Sequence, residues 1–181
     1  MKRNFMLKFV SMTLLMALFS MPLTLNAQGS KANFAGSWAY NASKSDMGQP
    51  PQGMGGGGGG QRPGGFGGGD MVVTQDANTL TMERTMQGMD GQAMTTTTKY
   101  SLDGKETVNT TGRGENKSVA KWSADGKTLN IVTTMSFNFD GQTNEMKTTE
   151  DWSLAGGNLT VVSTMNTPNG ERKTTRVYDK K

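Results

Sequence analysis

The sequence predicts an all-β protein, an antiparallel up-and-down meander barrel of about ten strands, with an N-terminal signal helix and a disordered Gly-rich loop. Three observations carry that reading. Turn dipeptides recur from Met71 onward, at Asp90-Gly91, Asp103-Gly104, Asp125-Gly126, Asp140-Gly141, Gly156-Gly157 and Asn169-Gly170, and they supply the positive φ angles of tight hairpins. The segments between them are rich in Thr, Val, Met and aromatic residues and show almost no helical period. One segment alternates openly: Leu129, Ile131, Thr133, Met135, Phe137 and Phe139 share a face, while Asn130, Thr134, Ser136 and Asn138 share the other, interrupted by Val132. Such a strand has one side buried and one side wet.

The chain opens with MKRNFMLKF, carrying Lys2, Arg3 and Lys8, and an apolar run follows from Phe9 to Leu25. This is the pattern of a secretory signal peptide over residues 1–27, cut after Ala27. The expected destination is the periplasm or the exterior, by export of the Gram-negative type. No Cys follows the apolar run, which excludes a lipid-anchored lipoprotein, and no integral membrane span is expected after cleavage. Residues 28–181 then form one barrel domain, interrupted by a Gly/Pro-rich loop over 47–70. The formal charge of +4 belongs mostly to the leader: without Lys2, Arg3 and Lys8, 16 basic residues face 15 acidic ones. They are interleaved, with no basic stripe, so nucleic acid is not an expected partner.

Cys and His are both absent. No disulfide framework can hold the fold, and a structural zinc site, a His-activated nucleophile and a haem axial His are excluded by composition. The expectation is a monomer without enzymatic activity, with no catalytic residues, no metal and no cofactor.

In chain order the strands are expected at 33–40, 71–76, 79–87, 92–102, 106–110, 115–123, 128–139, 142–154, 158–167 and 171–179. Parity places Met146, Thr148, Glu150, Trp152 and Leu154 inward on the eighth strand, and Glu145, Lys147, Thr149, Asp151 and Ser153 outward. A charged outer face argues against an outer-membrane barrel, whose outer face is apolar. Closing the sheet on itself removes its long edges.

The first strand reads Asn33-Phe34-Ala35-Gly36-Ser37-Trp38, a Phe-x-Gly-x-Trp pattern, and the last ends Thr175-Arg176-Val177-Tyr178-Asp179-Lys180. With ten meander strands between them, the chain resembles the calycin superfamily, the lipocalins and especially the fatty-acid-binding proteins. It is similar to exported bacterial lipocalin-like domain proteins, which share the Gly-x-Trp-x-x-Asn-x-x-Lys-Ser pattern seen from Gly36 to Ser45. The resemblance implies a barrel that binds a small hydrophobic or amphipathic ligand. Phe34, Gly36 and Trp38 would form the structural motif that plugs one end.

The resemblance gives Arg176 two alternative roles. In lipocalins an Arg near the last strand covers the Trp of the first; in fatty-acid-binding proteins an Arg and a Tyr matching Arg176 and Tyr178 hold the ligand carboxylate. Glu150 is the expected partner of an inward Arg176, since a buried carboxylate is costly unless paired. The fatty-acid-binding proteins tend to carry an Arg where this chain has Glu150, which argues against a free-acid ligand. The expected ligand-binding residues are Arg176, Tyr178, Arg84, Glu150 and Trp152.

Ten of the 15 Met follow Ala27, among them Met82, Met86, Met94, Met135, Met146 and Met165 on strands. They suit a plain core or a loosely shaped apolar cavity. The Gly-rich run occupies the place where fatty-acid-binding proteins carry a helical lid. Gly and Pro forbid such a lid here, costing about 1 and 3 kcal/mol per interior helix position. No Gly-Lys-Ser/Thr follows the glycines, so a phosphate-binding loop is excluded too. Two functions stay open: a ligand-binding barrel, or a filled structural or interaction barrel of the cell envelope that acts through its surface or its Gly-rich loop.

Overall fold

The computed structural model describes residues 30–48, 68–87, 92–111, 114–139, 142–167 and 170–181. Ten antiparallel strands form one sheet: β1 Gly36–Tyr40, β2 Met71–Gln75, β3 Thr79–Gln87, β4 Ala93–Ser101, β5 Glu106–Thr111, β6 Gly114–Trp122, β7 Thr128–Phe139, β8 Gln142–Ala155, β9 Asn158–Thr167 and β10 Gly170–Lys180. Each strand pairs with its neighbour in sequence except at one seam, and β1 pairs with both β2 and β10. The first and last strands therefore close the sheet, with Trp38 opposite Met71 on one side and Lys180 on the other. The all-β meander of the sequence reading is the observed fold, with strand bounds shifted by no more than three residues.

The one interrupted seam lies between β4 and β5, at the two ends of the strand order. Side chains bridge it. The Lys99 N–H donates to Asn109 Oδ1 at 2.8 Å, Asn109 Nδ2 donates to the Lys99 carbonyl at 2.9 Å, and the Ser101 N–H donates to Thr107 Oγ1 at 2.9 Å.

Local sequence explains the turns at one end of the barrel. Ser101-Leu102-Asp103-Gly104-Lys105 and Ser123-Ala124-Asp125-Gly126-Lys127 fold alike: in each, the Asp carboxylate accepts from the Ser hydroxyl at 2.6 Å and from the Lys N–H two residues on. Gly104 and Gly126 take φ of +82° and +71°, the left-handed conformation that glycine adopts without steric cost.

At that same end the barrel is packed solid. Phe34 stacks on Trp122 with ring centroids 5.7 Å apart and meets Trp152 edge-on at 6.0 Å. Trp38, Leu80, Leu129, Leu159 and Val161 bury around them, and Trp38 Nε1 donates to the Phe34 carbonyl at 2.9 Å. Leu154 departs from its expected inward place: beside the β8–β9 turn it is 39% exposed, because alternation alone does not bury a residue at the rim.

The flanks of the Gly-rich run belong to the barrel. After a 3-10 turn at Ala42–Lys44, Asp46 pairs with Thr175 of β10, so the chain continues the line of β1. Beyond the run, Asp70 accepts from the Tyr40 N–H and pairs with Lys181 at 2.7 Å. The expected signal peptide and residues 49–67 of the expected disordered loop lie outside the described residues, as do the side chains of Met86, Phe137 and Phe139.

Candidate functional site

Above the aromatic end, the inward positions change character. On β8 to β10 the sequence places Thr148 and Glu150, Ser163 and Met165, and Arg172, Thr174 and Arg176 on the inner face, aligned by the registers Glu150–Ser163, Thr174–Ser163 and Arg172–Met165. These side chains, joined by Met47, line a cavity of about 170 Å³.

Its floor is a charged cluster. Arg176 Nη2 forms an ion pair with Glu150 Oε1 at 2.5 Å and donates to Ser163 Oγ at 2.7 Å. Ser163 Oγ also lies 2.9 Å from Glu150 Oε1, and Trp152 Nε1 donates to Glu150 Oε2 at 3.1 Å. Burial alone would raise the Glu150 pKa, but Arg176, Arg84 and the Trp152 and Ser163 hydrogen bonds outweigh it and hold the carboxyl below its usual range. Burial likewise opposes the charge on Arg176, and Glu150 more than restores it. Tyr100 and Tyr178 are pushed upward, chiefly by burial, and stay neutral phenols.

Charge within this layer is unbalanced. Among the described residues, Arg172 and Arg176 line the cavity with one carboxylate, Glu150, and Arg84 acts on that carboxylate through its charge. The Nε groups of all three arginines are buried without a hydrogen-bond partner among the described residues, as is the Tyr178 hydroxyl. Arg172 Nη2 donates to the Met47 carbonyl at 3.2 Å, tying the segment before the Gly-rich run to the cavity wall.

Of the residues expected to bind ligand, Arg176 and Glu150 line the cavity. Trp152 and Tyr178 lie fully buried, Trp152 bonded to Glu150 from the core side. Arg84 on β3 reaches Met82 Sδ at 3.6 Å and acts on Glu150 through its charge. The lipocalin-like role for Arg176 is not what the fold adopts. The cation over the Trp38 ring is Lys180, 5.9 Å from its centroid, because register sets Lys180 and not Arg176 opposite Trp38. Phe34 and Trp38 are buried at the aromatic end of the barrel, and Gly36 has φ of +144°. Sequence reasoning missed Arg172, Thr174, Ser163 and Tyr100. The first two share the parity of Arg176 and were readable from it; Ser163 needed the β8–β9 register.

No family model and no curated protein matches the sequence. Solved structures do. The chain is similar to the zebrafish ileal bile acid-binding protein complexed with cholic acid, with TM-score 0.53, 18% identity, and coverage of 82% of this chain and 98% of that one. It is similar to a point mutant of the fluorescent protein UnaG, with TM-score 0.52, 21% identity and coverage of 81% and 95%. It is also similar to fatty-acid-binding protein 1 of Echinococcus granulosus, with TM-score 0.50, 16% identity and coverage of 81% and 96%. At these identities the likeness is one of fold: a ten-stranded barrel of the fatty-acid-binding-protein type.

Proposed function

We propose that this chain is an exported, non-enzymatic carrier, delivered to the periplasm or the exterior by residues 1–27, that holds the polar end of a small amphipathic molecule inside its barrel. The observation that carries this reading is the cavity above the Arg176–Glu150 pair, lined by Arg172 and Arg176, whose buried Nε groups have no hydrogen-bond partner among the described residues. Unpaired buried donors are costly, and a ligand that accepts from them recovers that cost on binding. The excess of Arg over Glu selects an anionic head, so Glu150 neutralises one of three positive charges without turning an acid away. Two solved neighbours are described as bile-acid-binding and fatty-acid-binding proteins, which supports a ligand of this general kind.

One observation favours a second reading. The cavity, at about 170 Å³, is smaller than the ~300 Å³ at which pockets begin to enclose a drug-sized ligand. A barrel whose lower half is packed with its own aromatics also suits a structural or interaction module of the envelope.

Native mass spectrometry of the mature protein, purified from its own cell envelope and followed by organic extraction, separates the two. A stoichiometric adduct, lost in Arg172→Met, establishes the carrier and identifies its cargo. A clean apo mass, together with no uptake of an added long-chain carboxylate or sulfonate, overturns the carrier in favour of the filled barrel. An N-terminus other than one near Gln28 on the exported protein overturns the proposed leader.

A further inference from the structure

Arg84, Arg172 and Arg176 all act on the barrel interior, but only Arg176 has a carboxylate in contact. It pairs with Glu150, whereas neither Arg172 nor Arg84 has a salt-bridge partner among the described residues. Arg172 lines the cavity, and its guanidinium makes one hydrogen bond among the described residues, from Nη2 to the Met47 carbonyl. The guanidinium of Arg84 has only its contact with Met82 Sδ. Its charge nevertheless acts on Glu150, Tyr100 and Tyr178.

A lysine in such a place can lose its proton and its charge; a guanidinium in a protein does not. Tyr100 and Tyr178 stay neutral phenols and supply no negative charge. Three positive charges against the one of Glu150 therefore leave a surplus of two. The cavity itself suits a head group more than a chain: six of its eight lining residues are polar, and Thr148 and Thr174 add hydroxyls to the two arginines. We propose, on the basis of the carrier reading above, that the head group it takes is a dianion, a phosphate monoester seated against Arg172.

A carboxylate or a sulfate ester brings one negative charge and leaves one guanidinium uncompensated, whereas a phosphate monoester meets both. Its three terminal oxygens also accept from several sides at once, which suits a cavity with donors on β8, β9 and β10. Arg172 sets the preference, because it lines the cavity and no carboxylate neutralises it. The chemistry makes binding depend on pH through the ligand. A phosphate monoester gains its second charge at about pH 6. Glu150, held below its ordinary 4.5, is already ionised there and does not change.

Isothermal titration of the delipidated mature protein with dodecyl phosphate and dodecyl sulfate, each below its micelle concentration, compares two heads of one shape that differ in charge. At about pH 8 the phosphate should bind about tenfold tighter, the scale of one further charged hydrogen bond. At about pH 5, below the second ionisation, the two should bind alike. Arg172→Gln should shrink the preference seen at the higher pH, with the melting curve checking that the variant folds. Equal affinities of the wild type for both esters at the higher pH, or a phosphate affinity that does not rise with pH, overturns the dianionic head and leaves the carrier standing. Binding of neither ester overturns both. Inorganic phosphate that binds as tightly as its dodecyl ester upholds the dianionic site and removes the apolar tail from the carrier reading.

Discussion

Arg176 on β10 and Glu150 on β8 reach each other across the intervening strand β9, whose Ser163 sits between them and bonds to both. The pair thus ties three consecutive strands together on the inner face. Breaking a buried pair by removing one partner strands a charge and costs about 3–5 kcal/mol, whereas replacing both with apolar groups costs much less. Arg176→Met and Glu150→Met should each lower the urea midpoint strongly, and the double variant should be more stable than the sum of the two losses implies. Strict additivity in equilibrium unfolding would mean that the two side chains act independently.

The same pair sets a pH dependence. The Glu150 carboxyl is held below its ordinary value of 4.5 in the folded protein, so the unfolded chain binds its proton first as pH falls. Its contribution to stability is therefore complete above about 4.5 and is lost as pH drops through the lower folded value. Asp70 and Asp179 are also depressed, by hydrogen bonds from Lys181 and Lys44, so the whole protein weakens in acid. The part due to Glu150 appears in a difference: the gap in melting temperature between wild type and Glu150→Gln should narrow between pH 5 and pH 3, a window around the ordinary carboxylate range. A gap that stays constant through that window would show that Glu150 is not ionised in the fold.

Gly68 offers a test of the flank of the Gly-rich run. A Cβ at this position would lie 2.6 Å from Cε1 of the Tyr40 ring, and Tyr40 in turn packs edge-on against Tyr178 with centroids 5.7 Å apart. Gly68→Ala must therefore push the Tyr40 ring, at a cost of about 1–3 kcal/mol typical of overpacking. Tyr40→Ala should remove most of that penalty in the double variant, and thermal unfolding of the three proteins checks it. If Gly68→Ala unfolds like the wild type, this glycine is not held against the ring.

How much of this was legible follows from the range of the interaction. Turn dipeptides and period-two alternation are local, so the strands and the inward parity of Arg176, Glu150 and Tyr178 could be read directly. The partnership of Arg176 with Glu150 was also within reach, since a buried Arg needs a carboxylate and parity left Glu150 on the inner face. Arg172 and Thr174 carried the same parity signal and were passed over. The exchange of Lys180 for Arg176 over Trp38 was not legible, because it depends on the register between the first and last strands, which no local pattern encodes. Ser163 depended likewise on the β8–β9 register.

Tyr178 offers a test that separates stability from the proposed ligand binding. It is fully buried, its ring is packed against Tyr40, and its hydroxyl has no hydrogen-bond partner among the described residues. A buried hydroxyl without a partner costs about 1–3 kcal/mol, so Tyr178→Phe should leave the empty barrel as stable as before or stabilise it by up to about 1 kcal/mol, the small void offsetting part of the gain. If the proposed amphipathic ligand accepts a hydrogen bond from that hydroxyl, the same substitution weakens retention several-fold while the unloaded protein melts no lower. Denaturant unfolding of the delipidated protein and titration with a long-chain carboxylate read the two effects separately. A loss of stability on Tyr178→Phe would mean that the hydroxyl is already satisfied within the barrel, and that Tyr178 belongs to the plug and not to the ligand site.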